Sequence, residues 1–287
     1  MLRMNNSAME RFGFFCSYYL RKLFSPVTAE DLFRKRFYRA TAPSSVTIDA
    51  ENENELNFSL KNNNGKGLHF FVRKKNSSDI QVYKQVFVQK EYHALVNLIT
   101  ENKMQDKIRY IIDTGANIGF TSLYFHQFFP EAQFIVIEPD EKNFEQMKRN
   151  FEVNGLVKTQ MHLCGLWSSD GWLKISRDND EGKEWSYRVM ASDKPTNLKS
   201  ISFSTLLKNP EVDIIDILKM DIEGAEKELF SNEEIISTVL KKTRFLAMEI
   251  HDDLADRRHI NAILEKNNFK WFRHEELTIA ANQSLLT

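Results

Sequence analysis

The sequence predicts a doubly wound, mostly parallel α/β sheet, and three observations carry that expectation. From Arg109 onward, short apolar runs alternate with segments of helical period. The runs are mainly apolar, as strands covered by helices on both faces are expected to be. The first of them enters a glycine-containing turn, Asp113-Thr114-Gly115-Ala116-Asn117-Ile118-Gly119, which opens a helix.

The elements follow in order. Residues 109–113, 133–138, 160–164, 214–220, 244–250 and 270–272 read as strands. Helices are expected at 118–129, stopped by Pro130, and at 140–153, ended by the C-cap pair Asn154-Gly155. Further helices are expected at 223–230 and 254–265, the last with Asp252 as its N-cap. Residues 165–200 read as a looser stretch holding Trp167, Trp172 and Trp185. These rings suit either core packing or stacking on a sugar.

Residues 1–90 differ in character from 91–287, and the boundary is drawn there. The first 45 residues read as helices, with a second helix starting near Ala29. Runs at 46–49, 56–60 and 68–72, with Asn62-Asn63-Asn64-Gly65 as turn chemistry, read as a small antiparallel β element. Residues 91–99 have helical spacing again.

Composition narrows the function. The chain has 287 residues, 42% hydrophobic and 28% charged, which is ordinary for a globular protein. Its formal net charge of -1 gives no global attraction for nucleic acid. The stretch 12–20 (FGFFCSYYL) is too short to span a bilayer and lacks a small-residue cleavage site, so no transmembrane segment is expected. The two cysteines, Cys16 and Cys164, make no metal or disulfide pattern, which fits a cytoplasmic protein. The oligomeric state is left open, a homo-oligomer included.

In an open α/β sheet, ligands bind beyond the carboxyl ends of the strands. Gly115 and Gly119 let the first turn close tightly, and Glu138 ends the next strand where a ribose-binding carboxylate belongs. A dinucleotide site would place a glycine where Asn117 stands. The strand also ends in Asp113, a carboxylate that would repel a pyrophosphate and attract an ammonium or a sulfonium. The pattern therefore favours S-adenosylmethionine over NAD.

Residues 111–125 (IIDTGANIGFTSLYF) and 135–150 (IVIEPDEKNFEQMKRN) resemble the first two motifs of class I methyltransferases. Residues 218–230 (LKMDIEGAEKELF) are similar to the signature of the FkbM-type methyltransferases, and 201–207 (ISFSTLL) to the strand that precedes it. The resemblance covers about 90–270. It implies a seven-stranded Rossmann-like sheet and methyl transfer from S-adenosylmethionine to an oxygen of a sugar or natural product. It also implies that Asp113, Gly115, Asn117 and Gly119 line the methionine and ribose. Glu138 would hold the ribose hydroxyls, and Cys164, Gly165 and Leu166 would border the adenine.

Asp221 and Glu223 fall at a strand end and helix start, over the expected cleft. Asp221 is expected to orient the acceptor or take its proton, with Glu223 in support. Both could instead merely favour a helix N-terminus. Glu249 and His251 alternate onto one face at the same rim, and a histidine titrating near neutrality suits a general base. Asp221, Glu223, Glu249 and His251 could converge on a metal, but no local spacing asks for one, and none is expected. Other readings left standing are a nitrogen or carbon acceptor, a nucleotide-binding oxidoreductase, and an inactive binding module.

Overall fold

The computed structural model describes residues 11, 13–19, 28–42, 46–61, 67–177, 187–208, 212–252 and 254–286. The expected turn at Asn62–Gly65 and Trp185 lie outside the described residues. The chain forms two compact units. One is Met1–Lys90 with Lys148–Gly155, the other Glu91–Met147 with Leu156–Thr287.

In the first unit, residues 13–19 form helix α1 and Ala29–Thr41 form helix α2. Thr28 caps α2 reciprocally: its Oγ1 accepts the Asp31 N–H, and the Asp31 carboxylate accepts the Thr28 N–H. Strands β1 (Val46–Glu51), β2 (Glu55–Leu60) and β3 (Leu68–Arg73) form the expected antiparallel sheet. Phe37 of α2 meets Phe58 of β2 edge-on at 5.3 Å, and Phe58 meets Tyr83 at 4.9 Å, so aromatic rings fill this small core. Tyr83 ends helix α3 (Asp79–Tyr83), which continues as a π-helical turn over Lys84–Gln89.

The second unit opens with helix α4 (His93–Glu101) and carries a seven-stranded sheet. Its strands are β4 (Tyr110–Thr114), β5 (Gln133–Glu138), β6 (Thr159–Leu163), β11 (Ile215–Met220), β12 (Thr243–Glu249), β13 (Phe269–His274) and β14 (Leu277–Asn282). Their order is β13-β14-β12-β11-β4-β5-β6. β14 alone runs against the direction of the other six strands. The chain winds from β4 one way to β5 and β6, and the other way to β11 and β12. The crevice beyond β4 is therefore the switch point where ligands bind. Every residue of β11 is buried, as a strand flanked by β4 and β12 requires.

Four differences from the sequence reading matter. The stretch 165–200 is not loose. It supplies β7 (Gly165–Leu166), β8 (Gly171–Arg177), β9 (Tyr187–Ser192) and β10 (Leu198–Ile201) of a second sheet, ordered β7-β10-β8-β9. Residues 201–207 hold the end of β10 and a short helix, Phe203–Leu206, rather than a strand. The helix expected from Glu223 begins at Glu226, so Asp221 and Glu223 stand in the connecting loop. Asp252 does not cap the helix Arg257–Lys266; Asp256 does, accepting the Arg258 and His259 N–H groups, while Asp252 pairs with the Arg257 side chain.

Candidate active site

The turn after β4 is shaped by close approach. Gly115 has φ +72°, and a Cβ there would lie 1.8 Å from the Asp221 carbonyl oxygen. Only glycine fits, because the backbone of the loop after β11 occupies the space a side chain would need. Asn117 (φ 51°) and Gly119 (φ 84°) continue the turn in left-handed conformations, and helix Phe120–Phe128 starts directly after Gly119. A second strained pair, Glu223 (φ 54°) and Gly224 (φ 91°), follows β11. Backbone strain thus gathers on both loops that face the crevice.

Glu138, the last residue of β5, fixes the turn from the other side. Its carboxylate accepts the Asn117 N–H at 2.7 Å and the Asp140 N–H at 2.9 Å. Burial pushes its pKa up to about 7, against the pull of those two backbone donors.

Asp113 does not line the crevice. It is fully buried, accepts the Ser122 hydroxyl at 2.6 Å, and pairs with the Lys219 ammonium at 3.2 Å. The register of β4 against β11 sets Asp113 beside Lys219 on the same face, so the acid expected to meet the ligand is neutralised within the sheet. Lys219 also donates to the carbonyls of Gly115 (2.7 Å) and Thr114 (3.2 Å). Burial opposes its charge, but Asp113 and Asp221 outweigh burial and raise its pKa. Lys219 was missed in the sequence because a lysine within an apolar run gives no sign of its partner.

The crevice itself is a cleft of about 460 Å³, within the usual range of ligand pockets. Gly115, Asn117, Glu138, Asp140, Asn143, Gly165, Leu166, Asp221 and Glu223 border it, with Leu173, Val189, Ile222 and Ala225 as apolar wall. Among the lining residues there are four carboxylates and no lysine or arginine. Cys164 is absent from this lining. It is buried in the main core, where burial raises its thiol pKa to about 11. Leu173 and Val189 come from the second sheet, in the stretch that sequence reasoning had left unread. Trp167 packs with Leu173 and Ala225 in a small core, while Trp172 stacks under the Lys199 ammonium at 5.6 Å.

At the far rim, the pairing of Met220 with Met248 sets Asp221 alongside Glu249, and His251 follows two residues later. Of the four residues that could converge, Asp221, Glu249 and His251 do so, with one ligand atom from each within 4.8 Å of the others, while Glu223 is not part of that group. His251 Nε2 is 3.5 Å from Glu223 and 3.7 Å from Glu249, and its Nδ1 is 3.4 Å from the buried Glu226. Hydrogen bonding to Glu223 and Glu226 raises the histidine pKa to about 11. A group held as imidazolium cannot accept a proton at neutral pH, which argues against the expected base role for His251 in this arrangement. Burial pushes Glu249 up to about 7 and also raises Asp221, whose neighbour Lys219 pulls the other way.

The chain is similar to known proteins. A model of the methyltransferase FkbM domain matches residues 113–271. Methyltransferase sdnD of Sordaria araneosa is 27% identical over 219 residues, covering 66% of this chain and 81% of that protein. Methyltransferase 1 of Beauveria bassiana is 24% identical over 216 residues, covering 66% and 80%. The 2-O-methyltransferase NoeI of Sinorhizobium fredii is 24% identical over 158 residues, covering 50% and 63%. The crystal structure of methyltransferase FkbM from Methylobacillus flagellatus is similar over 61% of this chain and 43% of that one, at 18% identity and a TM-score of 0.40. With the family model spanning more than half of its residues, the chain belongs to the FkbM methyltransferase family.

Proposed function

We propose that the chain binds S-adenosylmethionine in the cleft beyond β4, β5 and β11 and methylates a hydroxyl oxygen of a small or sugar-like acceptor. The observation that carries this reading is the charge of the cleft wall: four carboxylates and no cation among the lining residues. Such a wall attracts a ligand bearing an ammonium and a sulfonium and repels a diphosphate. The acid that does this is Asp221, with Glu138, Asp140 and Glu223, rather than the sequestered Asp113. The relative NoeI, named a 2-O-methyltransferase, supports an oxygen acceptor.

The residues present fit the cofactor. Gly115 lets the first turn pack directly against the Asp221 backbone, and Glu138 offers a carboxylate at the end of β5 for ribose hydroxyls. Gly165, Leu166, Leu173 and Val189 give an apolar wall for the adenine. When bound, the cofactor supplies an activated methyl group. Asp221 then receives the proton of the acceptor hydroxyl, and Glu223 and His251 hold the loop around it.

Calorimetric titration with S-adenosylhomocysteine and with NADH tests the cofactor, and radiolabelled methyl transfer onto a panel of glycans and hydroxylated natural products tests the acceptor. Binding of S-adenosylhomocysteine, none of NADH, and a labelled ether product are expected. Asp221→Asn should cost at least about 100-fold in turnover, the usual scale for a positioned proton acceptor. NADH binding in place of S-adenosylhomocysteine ends the reading.

A further inference from the structure

We infer that a second cavity, beside the cofactor cleft, holds the methyl acceptor, and that this acceptor is a hydroxylated molecule with an apolar body, a lipophilic alcohol or phenol rather than a free sugar. The inference rests on the methyl-transfer reading for the fate of the bound molecule, not for its binding.

Size and place come first. The cavity has a volume of about 590 Å³, room for a drug-sized molecule. It shares Val189 and Glu223 with the cofactor cleft, which Asp221 also lines. A hydroxyl carried past Glu223 therefore enters the cleft on the side of Asp221.

The walls are mainly apolar. Trp167, Val189, Met190, Ala191 and Leu254 line the cavity. The pairing of Val189 with Ile175 and of Ala191 with Leu173 puts Val189 and Ala191 on one face of β9. Val189 packs there against the small core of Trp167, Leu173 and Ala225, while Ala191 and Met190 stay exposed. Apolar side chains left uncovered around a concavity mark a ligand groove. Leu254 brings the apolar wall up to the reacting end. A Cβ on Gly224 (φ +91°) would lie 2.3 Å from Leu254 Cδ1, so Leu254 packs directly on the loop that carries Asp221 and Glu223.

The polar lining is mostly engaged within the protein. The Glu228 carboxylate accepts the Ser168 hydroxyl at 2.7 Å, and the Ser231 hydroxyl donates to the Glu228 carbonyl at 2.7 Å. Glu223 faces the His251 imidazole at 3.5 Å. Lys227 is exposed, where water competes for its ammonium. A sugar presents hydroxyls on every edge and is penalised for each one left unpaired on binding. An apolar ring gains from the same walls. Trp167 is only 8% exposed, which leaves too little of its ring for a sugar to stack on.

The test is calorimetric titration of the full chain, with and without S-adenosylhomocysteine, using 2-naphthol as the apolar hydroxylated probe and methyl β-D-glucoside as the sugar probe. Wild type should bind one 2-naphthol, and the glucoside at least about tenfold more weakly. Ala191→Glu sets a charge on the apolar face and should weaken 2-naphthol at least about tenfold. Leu254→Ala removes wall and should weaken it about tenfold. Thermal melting checks that both variants are folded, and Leu254→Ala carries the test should Ala191→Glu be unstable. No 2-naphthol bound by wild type, several weak sites indifferent to the folded variants, or glucoside bound as tightly overturns the inference. A chain that binds 2-naphthol but refuses S-adenosylhomocysteine ends the cofactor reading alone. One that binds S-adenosylhomocysteine but refuses 2-naphthol ends the acceptor cavity alone.

Discussion

The Lys219 ammonium lies 3.2 Å from the Asp113 carboxylate, and both side chains are almost wholly buried between β4 and β11. Breaking a buried ion pair from one side strands the other charge at a cost of about 3–5 kcal/mol. Lys219→Met should therefore lower unfolding free energy by that order, measured by urea denaturation. Lys219→Met combined with Asp113→Leu should recover much of the loss. A single variant as stable as wild type would show that the pair contributes nothing.

The 1.8 Å approach of a Gly115 Cβ to the Asp221 carbonyl makes Gly115→Ala the most damaging small substitution of the turn. It should abolish S-adenosylhomocysteine binding and lower the melting temperature. Gly155→Ala is the control. It shares a positive φ of +69° but meets nothing within 4 Å, so the cost should be only the backbone strain of about 1–2 kcal/mol. Equal effects of the two would refute the steric account.

Glu138 gives a pH dependence. Its pKa is raised by burial to about 7, above the ordinary 4.5, so the folded state favours the protonated acid. The stability penalty of ionising it is absent below 4.5 and complete above about 7. Ligand binding runs the other way, since ribose hydroxyls donate to the ionised form. Affinity for S-adenosylhomocysteine should fall as pH drops below about 7, and Glu138→Gln should give weak, nearly pH-independent binding across the same window. Isothermal titration at pH 6 and 8 decides it.

The cap of helix Arg257–Lys266 separates two aspartates. Asp256→Ala should cost about 1 kcal/mol because two backbone N–H groups lose their acceptor. Asp252→Ala breaks an exposed pair with Arg257 and should cost less than about 1 kcal/mol. Thermal denaturation of both variants ranks them.

The sequence by itself determined the periodic parts of this protein. Apolar runs such as 134–137 read as buried strands, and the spacing from Asp113 to Gly119 reads as a tight strand-to-helix turn. Strand β14 (LTIAAN) escaped because a short apolar run after a turn carries no distinctive period. The sheet of β7–β10 escaped because two of its strands have only two and four residues.

What tertiary structure alone decided was the state of the charges. The sequence placed Asp221, Glu223, Glu249 and His251 near one rim, and the fold brought them there. It could not tell that strand register would bury Asp113 against Lys219, or that three carboxylates would surround His251 and hold its proton. Local spacing fixes where a side chain stands along its own element. Its charge depends on burial and on neighbours brought from a hundred residues away, which exist only once the sheet has closed.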